Sequence, residues 1–109
     1  LTQDNKLAQG LTQDNKVAVR NFERAANHGH VDAMFVLGMC YMSEIGVEQD
    51  LVIAYMWLSY AAGEGHKDAM NARDTVQKNM TSEQLEKSLN LLKVKQMAIE
   101  ILLRNDVEF

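Results

Sequence analysis

An internal repeat restricts this chain more than any other feature. Residues 49–70, QDLVIAYMWLSYAAGEGHKDAM, follow the plan of residues 13–34, QDNKVAVRNFERAANHGHVDAM, at a constant offset of 36 residues and without a gap. Ala18 matches Ala54, Ala25-Ala26 matches Ala61-Ala62, Gly29-His30 matches Gly65-His66, and Asp32-Ala33-Met34 matches Asp68-Ala69-Met70. Gly10 precedes the first Gln-Asp at the distance by which Gly46 precedes the second. A fixed period of this length marks stacked supersecondary units, each unable to bury its apolar face alone.

Each unit reads as a pair of helices. The chain has no proline and is rich in helix formers. In unit one a helix is expected from about Asn15 to Asn27, with Asp14 as N-cap and Val17, Ala18, Phe22, Ala25 and Ala26 as its apolar stripe. Gly29 ends it, because glycine enters the left-handed C′ conformation cheaply. A second helix runs from about Val31 to Met42. Gly38 inside it signals close approach of another helix, and Gly46 is the turn residue of the link that follows. In unit two, helices are expected from about Leu51 to Ala62, capped by Asp50 and closed by Gly63 and Gly65, and from His66 to about Lys78. Thr81 and Gln84 form a capping box. It opens a last helix, Ser82 to about Arg104, with Leu85, Leu89, Leu92, Ala98, Ile101 and Leu102 as a broad apolar face and Asn105 to Phe109 frayed. LTQDNK occurs at 1–6 and again at 11–16. Only the second copy is in phase, so Leu1 to Gln9 reads as an irregular extension or an extra helical turn.

The fold class is therefore all-α: an α/α solenoid in one domain of 1–109. Repeat 1 is about 13–48, repeat 2 about 49–80, and the C-terminal helix about 82–104 covers the open side of the second pair. The residues that carry this plan resemble Sel1-like repeats, a class related to tetratricopeptide repeats. The family motif reads here as Gly46-Val47, Asp50, Ala54, Trp57-Leu58, Ala61-Ala62, Gly65 and Ala69 in one unit. In the other it reads as Gly10-Leu11, Asp14, Ala18, Phe22, Ala25-Ala26, Gly29 and Ala33, then Leu37-Gly38 and Tyr41. Asn21 stands where the family often has an aromatic. Arg73-Asp74 stands where Leu-Gly is expected, which resembles the unit that ends an array. The likeness is strongest to bacterial members. It implies a scaffold that binds proteins or peptides and has no catalytic motif.

The two units differ most on one face of their first helices. Arg20, Glu23 and Arg24 occupy it in unit one, and Met56, Ser59 and Tyr60 in unit two. Two readings of Met56 and Tyr60 follow: the closing helix covers them, or they form an exposed apolar patch for a partner. Arg20, Arg24, Met56 and Tyr60 are the candidate partner-binding residues, and the Arg pair would add charge selectivity. Trp57 reads as core. His28, His30 and His66 read as turn residues, since a zinc site needs three or four converging ligands. Cys40, the single cysteine, reads as a small core residue.

No nucleophile elbow, P-loop, dinucleotide fingerprint or H-E-x-x-H is present. No catalytic, cofactor-binding or metal-binding residue is assigned. A formal charge of −4 weighs against a phosphate grip on nucleic acid. The longest apolar run, Leu51 to Ala62, is too short to span a bilayer. The expectation is a soluble protein of the cytoplasm or periplasm that binds a protein or peptide on the concave surface of its first helices. The alternative is a structural cap or fragment of a longer array, or a self-associating module that forms a homo-oligomer.

Overall fold

The computed structural model describes the backbone of residues 2–108 and the side chains of residues 14–105. It contains five helices, α1 (Thr2–Asn27), α2 (Val31–Ser43), α3 (Leu51–Gly63), α4 (Lys67–Gln77) and α5 (Ser82–Glu108), and no strand among the described residues. Neighbours in sequence pack together from α1 to α4. Then α5 leaves α4 and packs chiefly on α3.

The start of α1 corrects the sequence reading. The helix begins at Thr2, so Asp14 and Gly10 are helical and Asp14 is no N-cap. Its counterpart Asp50 does cap α3, its Oδ1 accepting from the Ile53 N–H at 3.0 Å. The difference lies in what precedes each Gln-Asp. Before Gln49 the chain must turn, with Glu44 left-handed at φ 57° and Gly46 at φ +73°. Before Gln13 the weakest helix former is Gly10, whose cost of about 1 kcal/mol does not stop a helix. The far end is corrected too: with no glycine or proline after Arg104, α5 continues to Glu108. Leu1 and Phe109 lie outside the described residues.

Local signals hold elsewhere. Thr81 and Gln84 exchange their capping-box bonds, Gln84 N–H to Thr81 Oγ1 at 3.0 Å and Thr81 N–H to Gln84 Oε1 at 2.9 Å. Gly29 and Gly65 sit at φ +89° and +95° after their helices, while Gly63 stays helical. Gly38 marks where α2 meets α3: a Cβ there would lie 2.7 Å from Leu58 Cγ and 3.3 Å from the Ala54 carbonyl oxygen. The core runs along this seam, through Met34, Leu37, Leu58, Ala61 and Val76, and it includes Cys40 and Trp57. Burial pushes the Cys40 thiol pKa up.

Candidate protein-binding face

The first helices of the two pairs, α1 and α3, present one side on which α5 is seated. Three contacts fix its course. Near the start of α3, the buried Ser88 hydroxyl donates to the Val52 carbonyl at 2.7 Å. In the middle, Lys95 Nζ sits 5.2 Å above the Trp57 ring and donates to Asn27 Oδ1 of α1 at 3.0 Å. Further on, Ile99 and Leu103 flank Gly29, at the end of α1. Position numbers rise together on both helices, so α5 runs parallel to α3 and crosses the end of α1.

Met56 and Tyr60 are 5% and 8% exposed, so they form no exposed apolar patch. The reason is already in α3, which is apolar around nearly its whole circumference and is therefore buried on nearly all sides. Burial raises the Tyr60 hydroxyl pKa, and the carboxylates of Glu64 and of Glu100 on α5 raise it further. Ser59, the third residue of this face, keeps a buried hydroxyl without a hydrogen-bond partner.

Arg20 and Arg24 remain exposed on α1. With Glu23 and Asn27 they line an open groove of about 260 Å³. The four candidate residues thus separate into an exposed basic pair and a buried apolar pair. Sequence reasoning missed Lys95, which α5 brings to Asn27 across 68 residues of chain with no local signature.

The packed face of α5 also differs from expectation. Leu85, Ser88, Leu92 and Ile99 turn inward, while Leu89, Ala98 and Ile101 turn outward. The helix carries apolar residues at three-and-four spacing on two sides, so periodicity alone does not choose between them. On the outer side Val94, Met97 and Ile101 are 64%, 62% and 53% exposed.

The histidines serve turns and caps. His28 lies 2.8 Å from the Arg24 carbonyl. His66 is the N-cap of α4: its Nδ1 accepts from the Ala69 N–H at 3.1 Å, which leaves Nε2 as the protonated nitrogen, 3.4 Å from Asp32 Oδ1. The same ring stacks on Phe35, so His66 ties the second pair to α2 of the first. His30 makes no side-chain cap. Among the described residues no helix is long and apolar enough to cross a membrane.

The pattern of the Sel1 repeat matches residues 6–30 and 31–66. No curated protein matches the chain. Among solved structures, the crystal structure of c5321, a protective antigen present in uropathogenic Escherichia coli strains and displaying an SLR fold, superposes with a TM-score of 0.73 at 23% identity. The match covers 91% of this chain and 24% of that one, so this chain spans about a quarter of that protein's length. With repeat matches over more than half its residues and helix pairs stacked at the same period, the chain belongs to the Sel1-repeat family, which generally mediates protein–protein interaction.

Proposed function

We propose that this chain is a non-enzymatic scaffold that binds a protein or peptide on the side formed by α1 and α3. One observation carries the reading: this side already takes a helix. The chain's own α5 fills the α3 half in a helix-in-groove mode. The α1 half stays open, with Arg20 and Arg24 at its edge and Val17 56% exposed beside them. Met56 and Tyr60 act here as the seat of α5, and Arg20 and Arg24 as residues that meet the partner.

A photo-crosslinking residue at position 17, in the full chain, tests this in extracts of the source cells. The same protein should be captured repeatedly at position 17 and not from a control at Lys78, which is exposed at the far end of α4. Equal capture at both positions, or none at position 17, would refute the reading.

A second reading, that the chain is part of a longer array, has its own support. Ala18, Phe22 and Ala25 are only half-buried, whereas their counterparts Ala54, Leu58 and Ala61 are fully buried against α2 and its neighbours. That side of α1 has room for one more helix. Self-association would use another surface, the outer side of α5 at Val94, Met97 and Ile101. Solution mass over a wide concentration range separates the cases: a dimer lost in Met97→Glu supports self-association, and a monomer throughout removes it.

A further inference from the structure

The open groove on α1 is basic in an otherwise acidic protein. Lys16, Arg20 and Arg24 recur every four residues along α1, and all are exposed. Successive cations therefore step about 6 Å along the helix. Like charges at this spacing destabilise a helix. Arg24, in the last turn, is offset by the favourable end of the helix dipole. Lys16 and Arg20 lie earlier and lack that compensation. Among the described residues none of the three is ion-paired, and neither is Glu23. The seating of α5 then adds a fourth cation, because the Lys95 ammonium is held at Asn27, itself a groove-lining residue. The groove is lined by Arg20, Arg24, Asn27 and one carboxylate, Glu23, with Lys95 bonded to Asn27, in a chain of net charge −4.

We propose that this groove binds an acidic peptide segment of the partner, a conclusion that rests on the binding reading above and names its chemistry. The spacing suits an extended strand with Asp or Glu at alternate residues. Its carboxylates recur every ~6.6 Å, close to the step of the cations. Guanidinium groups at positions 20 and 24 can each engage a carboxylate through two parallel bonds. Lys95, steadied by Trp57 and Asn27, presents its charge with little freedom to lose on binding. This also accounts for the contrast between the repeats: at the same register, α3 carries Met56 and Tyr60 for an apolar helix, and α1 carries Arg20 and Arg24 for a charged chain.

The test is fluorescence anisotropy of the full chain with a labelled peptide of alternating glutamate and serine. A lysine–serine peptide and a single-stranded oligothymidylate of equal charge are the comparisons. The glutamate peptide should bind best, and binding should weaken steeply as salt shortens the screening length. The double variant Arg20→Glu, Arg24→Glu should weaken it by at least about tenfold, while Lys78→Glu changes it by less than about twofold. Arg20→Gln with Arg24→Gln, which adds no charge, should give a smaller loss in the same direction and serves if the reversed variant loses its helical circular dichroism. Equal affinity for wild type and both double variants would overturn the proposal, as would tighter binding of the oligothymidylate. If position 17 still captures its protein while the glutamate peptide fails to bind, the acidic chemistry is wrong and the scaffold stands. If both fail, both readings fall.

Discussion

The two helix pairs share a plan but not a fate. On α3, Ala54, Leu58 and Ala61 are 0% exposed, and Met56, Trp57 and Tyr60 are buried as well. On α1, among the described side chains, only Val19 and Ala26 are buried, and the residues matching Ala54, Leu58 and Ala61 are half-buried. The repeated residues set the helix and its phase. The number of neighbours sets how much of that helix leaves water: α3 touches α2, α4 and α5, whereas α1 packs mainly on α2. A repeat protein of this kind is thus a sum of similar units with unequal interfaces, and stability is concentrated where units meet. The less buried unit is the one free to meet another molecule.

Truncation at equivalent positions puts that comparison at risk most directly. Leu58→Ala should cost about 3 to 4 kcal/mol, because it opens a cavity at a fully buried site against Gly38. Phe22→Ala, at the matching position of α1, should cost less than about 2 kcal/mol although it removes a larger side chain, since that site is already partly solvated. Urea denaturation of the two variants decides it, and equal costs would mean that α1 is packed as fully as α3. The glycines give the next contrast. In Gly46→Ala a Cβ would come within 2.5 Å of the Asn15 carbonyl oxygen, backbone against backbone, at φ +73°. Relief would require the link to leave α1, at about 2 to 3 kcal/mol. Gly65→Ala at φ +95° meets nothing within 4 Å and should cost only the strain, about 1 kcal/mol. Of similar size is Ser88→Ala, which removes the hydroxyl bond from α5 to the Val52 carbonyl and should cost about 1 kcal/mol. A larger loss would show that α5 depends on that one bond more than on Leu85, Leu92 and Ile99.

Helix pairing, the cap at Asp50, the box at Thr81 and Gln84, and the close approach at Gly38 were all legible, because each is written in residues a few positions apart. The start of α1 was not. Gln13-Asp14 and Gln49-Asp50 are the same dipeptide, and only the turn at Glu44 and Gly46 makes the second a cap. The rotation of α5 was not legible either, since Val94, Met97 and Ile101 fit the helical period as well as Leu85, Leu92 and Ile99 do. For Met56 and Tyr60 the signal was present in a helix apolar all round, which needs cover on every side. Lys95 at Asn27 joins parts of the chain too distant for any local pattern to connect.

A last and smallest effect comes from the tyrosines, which the two units place at non-matching positions. Tyr60 stands where unit one has Arg24, and Tyr41 where unit two has Gln77. Both hydroxyls have pKa values raised above the ordinary phenol value: Tyr60 by burial, then Glu64 and Glu100, and Tyr41 by burial, then Glu23, Asp50 and Cys40. Below pH ~10, both phenols are protonated folded and unfolded, and their contribution to stability is fully present. Above it the unfolded chain releases its protons first, so stability falls as pH rises toward the folded values. The buried Cys40 thiol acts in the same direction from about pH 8.5, so the measurement belongs in a Cys40→Ala background. Urea midpoints there should be flat from pH 7 to about 9.5 and fall beyond. Tyr60→Phe and Tyr41→Phe should each flatten part of that fall. Glu100→Gln should reduce only the part due to Tyr60, because that carboxylate reaches Tyr60 from α5. If Glu100→Gln leaves the alkaline limb unchanged, α5 does not lie over the end of α3 as described. The contrast between a covered α3 and an open α1 would then lose its cause.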